Sequence, residues 1–336
     1  MRNGRTRAGR MGLAGMMLAL LGGAALAAEA PVSWWTRYAA PANQVPLPDG
    51  RKLNLYCEGK GSPTVVMDAG LGDNASSWRG VQDPIAQTTR VCAYDRAGLG
   101  LSTFDPGKRD TRAMADDLAA ALKAAHVKGP YVLVGHSAAG LTVRLYASLH
   151  RKDVVGLVLV DPSVEDQIAR MGAVSPKFAA AGKAGFEAMR PCTVDPRPEA
   201  FVRACTAGRP ADMPTDLADL YAGTRSPNAY KTILAEGQAF QDVDSQEVIA
   251  ARAPLGELPL VILTATKHPA PGVPDDEAAA VETVWNTMHD EVATLSTRGE
   301  NRRVEGAGHY VHRDRPELVV AAVVEVVTAA RAGHKK

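Results

Sequence analysis

The chain has 336 residues, 46% of them hydrophobic and 22% charged, with 38 Lys and Arg against 37 Asp and Glu. That is enough for one good-sized core plus an insertion, without requiring two independent domains. The near balance of charge, with no basic patch and no interleaving of aromatic with basic residues, leaves nucleic-acid binding without support. At the start, Arg2, Arg5, Arg7 and Arg10 precede an apolar Gly/Ala/Leu run from Met11 to Leu26, and Ala25-Leu26-Ala27 is a small-residue cleavage pattern. Residues 1–27 therefore read as an export leader cut after Ala27, by the general route because no adjacent arginine pair precedes the run. A retained anchor is the alternative, but the run is only marginally long and poor in Leu and Ile. The expectation is a periplasmic or secreted protein with no stable membrane anchor after cleavage. The mature chain keeps 34 basic and 37 acidic residues, a net charge of −3. Trp34-Trp35, just past the leader, reads as a packing or edge element.

From Lys52 onward, strand-like runs alternate with helix-like patterns. Strands are predicted at Leu53–Cys57, Thr64–Asp68, Val91–Tyr94, Tyr131–Val134, Leu157–Val160, Leu260–Thr264 and Asn301–Val304, with a weak edge strand before Asp49-Gly50. A C-terminal helix is expected over Pro316–Ala330. Alternation of this kind predicts a mostly parallel sheet with helices on both faces, its site at the strands' C-terminal ends. Between Ser163 and Pro254 the rhythm breaks into short helical patterns at Phe178–Met189, Asp212–Tyr221 and Tyr230–Phe240. Lying between the sixth and seventh strands, this stretch predicts a helical cap. Its apolar residues (Phe178, Phe186, Met189, Phe201, Leu217, Leu220, Tyr221, Leu234, Phe240) would form the cap's core, a minority of them lining a pocket. The expected organisation is 28–162 for the first part of the core, 163–255 for the cap and 256–336 for the rest. No internal repeat is visible.

The run Tyr131-Val132-Leu133-Val134 drives straight into Gly135-His136-Ser137-Ala138-Ala139-Gly140, and a helical pattern follows. A strand, one sharp turn with serine at its apex and a helix make a nucleophile elbow, which needs small residues two positions before and after the serine. Gly135 and Ala139 meet that need, with Ala in place of the usual second Gly. A serine that attacks an acyl carbon needs a base for its proton, an acid to orient the base, and amide donors for the oxyanion. The late Glu305-Gly306-Ala307-Gly308-His309 supplies a histidine on a glycine-rich loop between a short strand and the C-terminal helix. His312 is the runner-up. His136 is expected to pack beside the nucleophile, and His126, His150, His268 and His289 read as surface or satisfied residues. There is no Cys-x-x-Cys or His-Glu-x-x-His spacing, no phosphate loop and no dinucleotide pattern, so neither metal nor cofactor is expected.

In combination these residues carry a resemblance. The strand ending in Ala69-Gly70-Leu71-Gly72, the stretch Tyr94-Asp95-Arg96-Ala97-Gly98-Leu99-Gly100-Leu101-Ser102, the elbow, the strand end Val160-Asp161-Pro162 and the late Gly308-His309 resemble the α/β-hydrolase superfamily, most of all its secreted bacterial members. The resemblance spans nearly all of the mature chain. It implies an α/β-hydrolase fold: an eight-stranded, mostly parallel sheet with helices on both faces and a helical cap after strand 6. It further implies a serine carboxylic-ester hydrolase acting on small or medium ester-type substrates, with Ser137 as nucleophile and His309 as base. The backbone amides of Leu71 and Ala138 would be the oxyanion donors, both aided by the helix that follows. The His-Gly often found at the oxyanion turn is Ala69-Gly70 here, which removes a side chain and keeps the amide.

Such folds commonly place the acid after the seventh strand, but Thr266-Lys267-His268-Pro269 holds no carboxylate. Asp161, at the tip of the sixth strand, is therefore the expected acid, with Asp275 or Asp276 as alternatives. Amide, peptide or lactone hydrolysis (acyl-homoserine lactones included) and a non-catalytic binding protein remain the competing readings. Epoxide-hydrolase and dehalogenase chemistry is disfavoured, because those relatives use a carboxylate where this chain has Ser137. Asp95-Arg96 reads as a structural network bracing neighbouring turns, with a substrate-carboxylate role for Arg96 as the alternative. The four cysteines suit an oxidising compartment. Cys192 with Cys205 would close a short loop, and the family's sheet order puts the strands of Cys57 and Cys92 side by side.

Overall fold

In a computed structural model the chain divides into a unit over Met1–Val32 and a unit over Ser33–Lys336. The structure describes Met1 and residues 34–38, 42–206, 213–217, 224–270 and 272–333. Apart from Met1, the expected leader lies outside the described residues, and all that follows concerns the second unit.

Eight strands form one sheet: β1 (Gln44–Pro46), β2 (Lys52–Glu58), β3 (Thr64–Asp68), β4 (Val91–Asp95), β5 (Tyr131–His136), β6 (Val154–Val160), β7 (Leu260–Lys267) and β8 (Gly299–Gly308). Their order is β1-β2-β4-β3-β5-β6-β7-β8. β2 runs antiparallel to β1 and β4, and the pairings from β4 to β8 are parallel. Central strands covered on both faces read as unbroken apolar runs, and every residue of β3, β4 and β5 is buried. The alternation of side chains along β5 divides the core in two. Leu133 packs with Leu118, Leu122, Leu141 and Leu145 from the Thr111–Ala124 and Ala139–Leu149 helices. Val132 and Val134 turn to the opposite face, against Trp78, Ile85, Val323 and Val326. The C-terminal helix, Pro316–Gly333, lies so close to β6 that a Cβ on Gly156 would sit 2.3 Å from Val326 Cγ1.

β8 is six residues longer than the Asn301–Val304 expected. It is an edge strand whose outer positions carry Glu300, Arg302 and Arg303, so its sequence lacks the apolar run that marks the inner strands. Cys57 and Cys92 are register partners on β2 and β4 and are joined by a disulfide, with Cα atoms 4.1 Å apart. Trp35 is buried beside Met213 and Leu217, with the Arg79 guanidinium over its ring.

Between β6 and β7 stand the helices Gln167–Val174, Pro176–Met189, Glu199–Cys205, Pro227–Asp242 and Asp244–Ala251. Ser175 and Ser226 cap two of them through the amides of Phe178 and Ala229, each followed by Pro at the first helical position, where its fixed φ and missing N–H cost nothing. A second disulfide, Cys192–Cys205, is buried against Leu99, Tyr230 and Ile233. One expectation for this stretch lies partly outside the described residues, and one is revised. The described part of Asp212–Tyr221 is a single 3-10 turn, Thr215–Leu217, while Leu220 and Tyr221 lie outside the described residues. Phe201, expected in the core, is 41% exposed, on a short helix whose buried residue is Cys205. No described helix is long and apolar enough to cross a membrane.

Candidate active site

The turn from β5 into the Ala139–Leu149 helix holds Ser137 at φ 53, the left-handed region that a side chain rarely occupies. Strain of this kind persists only where the surroundings over-determine it. Here the Ser137 amide donates to Val160 O at 3.2 Å, and its carbonyl accepts from Gly140 and Ser163 at 2.8 Å each. A Cβ on Gly135 would lie 2.7 Å from both the Ala139 carbonyl oxygen and Val143 Cγ2, and one on Gly140 would lie 2.5 Å from Pro162 Cβ. Glycine is thus required before the serine and at Gly140, while position 139 tolerates Ala.

Three strand ends converge on this serine. Ser137 Oγ lies 2.9 Å from His309 Nε2, and His309 Nδ1 lies 2.6 Å from Asp161 Oδ2. A carboxylate only accepts, so Nδ1–H donates to Asp161, which leaves Nε2 free to accept the serine proton. Asp161, directly after β6 at φ 43, is fully buried. Its Oδ1 accepts from Trp285 Nε1 at 2.9 Å and from the Ala265 amide at 3.1 Å. Burial alone would raise the Asp161 carboxyl, but the hydrogen bonds from His268 and His309 outweigh it and hold it well below the usual carboxylate range. Asp275 and Asp276 open the Asp275–Ala293 helix, exposed in its first turn and away from this chain of bonds.

His312 is not at the serine. Its Nε2 lies 3.1 Å from Ser77 Oγ and its ring lies 4.6 Å from that of Trp78, where burial pushes its pKa well down. His136 packs beside the serine with Nε2 3.0 Å from the His309 carbonyl oxygen; burial and then the nearby His309 lower its pKa strongly.

His268 was read from sequence as a surface or satisfied residue, and the structure puts it in the site. Its Nε2 lies 2.7 Å from Asp161 Oδ2, and its Nδ1 lies 2.7 Å from Glu282 Oε2. Burial would lower its pKa, but the bonds to Asp161 and Glu282 raise it to about 9. Neither Glu282 nor Trp285 carried a motif. The one available signal was positional: His268 follows β7, where the family commonly keeps its acid.

The loop after β3 faces the elbow, and a Cβ on Gly70 would come within 2.9 Å of His136 Nδ1 and 3.1 Å of Ser137 Cβ. The amides of Leu71 and Ala138 have no protein acceptor among the described residues. Only Ala138 begins a full helix; Leu71 precedes a four-residue 3-10 turn, so the expected helix-end assistance applies to one donor and not to both. Arg96 braces this loop from beneath. Its Nη1 donates to Asp68 at 2.8 Å and to the Ala69 carbonyl, and its Nη2 to the Gly70 carbonyl at 2.7 Å. Glu236, from the Pro227–Asp242 helix, accepts from Arg96 Nε at 2.8 Å and from the Gly72 amide at 3.3 Å. Arg96, 4% exposed and saturated by these partners, is the structural element expected and is unavailable to a substrate carboxylate.

A cavity of about 380 Å³ opens over Ser137, walled by Phe178, Phe186, Phe240, Met171 and Trp285, with His268 and Glu282 on its polar side. Among the described residues one group could hold a metal ion, Asp161, His268 and His309, with ligand atoms within 4.8 Å of one another. Asp161 Oδ2 is already the hydrogen-bond partner of both rings.

The profile of the Alpha/beta hydrolase family matches residues 65–322. The uncharacterized protein YqjL of Bacillus subtilis is 25% identical over 273 residues, 81% of this chain and 87% of its own. A thermophilic esterase from Thermogutta terrifontis, 20% identical, superposes with a TM-score of 0.56 over 86% of this chain and 98% of its own. The epoxide hydrolase CorEH, 17% identical, gives 0.59 over 85% and 98%. At such identities the two structures speak for the fold alone. Sheet order, elbow and family match agree: the chain belongs to the alpha/beta hydrolase family.

Proposed function

We propose that this hydrolase cleaves carboxylic esters through an acyl-enzyme on Ser137. The observation that carries the reading is the unbroken chain from Ser137 Oγ through His309 to Asp161, at 2.9 and 2.6 Å. His309 Nε2 takes the Oγ proton as the oxygen attacks the ester carbonyl, and the Leu71 and Ala138 amides receive the oxyanion. The imidazolium, steadied by Asp161, then protonates the departing alcohol. Water deprotonated by the same nitrogen releases the acid and restores Ser137. Every step uses groups of the chain itself, and no cofactor enters.

The cavity supports the substrate class. Its phenylalanine and methionine walls suit an apolar acyl group of medium length or an aromatic one, since each methylene moved from water contributes about 0.8 kcal/mol. Among the described residues no Lys or Arg lines the cavity, and Arg96 is committed to the loop and Glu236. The two disulfides support a working place in an oxidising compartment, the periplasm or outside the cell. A panel of p-nitrophenyl esters from acetate to palmitate, run beside lactones and aminoacyl anilides, tests the reading. Ester turnover is expected to peak at medium chain length, with labelling of Ser137 by a fluorophosphonate. Turnover of lactones or anilides alone would overturn the ester assignment, and failure to label would overturn the nucleophile.

A further inference from the structure

We propose that His268 is a positioning residue for this site: an imidazolium clamped between Asp161 and Glu282 that fixes the Asp161 carboxylate and withholds part of its charge from His309. The proposal rests on the serine-hydrolase reading above. Its geometry is simple. Both ring nitrogens of His268 lie 2.7 Å from a carboxylate oxygen, Nε2 from Asp161 Oδ2 and Nδ1 from Glu282 Oε2. An ionised carboxylate can only accept, so both nitrogens must carry a proton, and a ring with two N–H groups is a cation.

The groups that face the ring agree. Asp161 comes from the end of β6, while Glu282 and Trp285 come from the Asp275–Ala293 helix, with the Trp285 ring 5.6 Å away. His309, from the loop after β8, stands 6.3 Å off, ring to ring. His289, on the same helix as Glu282, is buried with a pKa lowered to about 4, and its nitrogens are engaged by Thr264 and the Pro162 carbonyl. Two carboxylates therefore meet one cation beside a neutral histidine, and His268 keeps a pKa of about 9.

The consequence falls on the base. Asp161 Oδ2 receives His268 and His309 together, at 2.7 and 2.6 Å. A carboxylate whose charge is shared with a fixed cation stabilises a second imidazolium less. Asp161 Oδ2 is accordingly held in place toward His309 while part of its charge is engaged by His268. Glu282 offsets the cation, so the array of Glu282, His268 and Asp161 carries one net negative charge, as a lone acid would.

The test combines a structural and a kinetic readout. Imidazole ¹⁵N NMR, with the His268 signals assigned by their loss in His268→Gln, is expected to show both of its nitrogens protonated at about pH 7, where an ordinary histidine is mostly neutral. A neutral His268 ring at that pH overturns the clamp, whatever the enzyme's activity. In kcat/KM against pH, the acid limb is expected to move up in His268→Gln, which removes the cation from Asp161. Glu282→Gln, which keeps the ring in place and removes the charge that offsets it, is expected to move the limb the opposite way. Folded variants whose profiles superpose on wild type after scaling overturn the positioning role. A cationic His268 in a protein that neither turns over esters nor takes the fluorophosphonate overturns the hydrolase reading and, with it, any effect on a base. The outcomes are thus distinguishable.

Discussion

Replacing Asp161 by Asn changes one oxygen for one NH₂ at the point where four donors meet. The carboxylate accepts from His309 Nδ1, His268 Nε2, Trp285 Nε1 and the Ala265 amide, at 2.6 to 3.1 Å. Asn keeps one acceptor oxygen for the Trp285 and Ala265 side and turns its amide hydrogens toward two imidazoles that also donate. His309 resolves that clash by taking the other tautomer, with Nδ1 accepting from Asn and Nε2–H facing Ser137. In that form it is no longer a base. The loss in kcat is expected to be on the order of 10⁴-fold, about 5 kcal/mol of activation free energy.

Stability should fall as well, because charge-assisted hydrogen bonds contribute about 1.5–3 kcal/mol each and the variant lacks two from histidine rings. The Asp161 pKa lies below its unfolded value, so its contribution is fully present above the ordinary carboxylate range and is lost as pH falls through the folded value. The gap between wild type and Asp161→Asn in urea unfolding should accordingly be widest near neutral pH and close in strong acid. Asp275→Asn and Asp276→Asn serve as controls. Both sit exposed at a helix start, where a negative charge contributes about 0.3–1 kcal/mol, so their turnover should match wild type. A folded Asp161→Asn that retains more than about a tenth of wild-type kcat refutes the reasoning, since an amide cannot hold the required tautomer. A crippled Asp275 or Asp276 variant beside a mild Asp161→Asn would place the acid in the β7 loop.

Ser137→Ala and His309→Ala should each remain folded and lose ester turnover on the order of 10⁶-fold, whereas His312→Ala should lose stability and keep most of its turnover. Stopped assays with thermal melts separate these results, and equal kinetic losses at both histidines would sink the assignment of His309. Glu236→Ala removes the partner that ties Arg96 and the Gly72 amide to the Pro227–Asp242 helix. It should destabilise by about 3 kcal/mol, and in the folded fraction it should lower kcat more than it raises KM because the oxyanion loop loosens. An unchanged kcat would show that the loop holds its shape without the helix. Non-reducing peptide mapping of exported protein should recover Cys57 with Cys92 and Cys192 with Cys205, each bridge contributing roughly 2–4 kcal/mol against reduction. Four free thiols in that preparation would count against an oxidising compartment.

The buried strands were legible because a parallel strand covered on both faces must be apolar throughout, and β3, β4, β5 and β6 show such runs without a break. The elbow was legible for a related reason. A serine held at positive φ between a strand and a helix leaves no room for side chains, and Gly135 and Gly140 record that restriction in the sequence. The pairing of Cys57 with Cys92 needed the family's strand order, which the register of β2 on β4 then gives directly. The full length of β8 was not legible, because an edge strand carries charge on its open side and only Asn301–Val304 read as strand; of the cap pattern at Asp212–Tyr221, residues 213–217 are described and hold the 3-10 turn Thr215–Leu217.

Among the site residues, Ser137 and His309 could be placed by local chemistry. The setting of Asp161 could not, since its partners Ala265, His268, Trp285 and His309 are each more than 100 residues away along the chain. Only the parallel alignment of β6, β7 and β8, with the Asp275–Ala293 helix laid against them, brings those donors to one carboxylate. A sequence records which groups are available to donate, and the tertiary structure decides which acceptor they share. His268 shows this most clearly: as a residue it is one histidine after a strand, and its two carboxylate neighbours, which determine its charge, are Asp161, just past β6, and Glu282, 14 residues further along the chain.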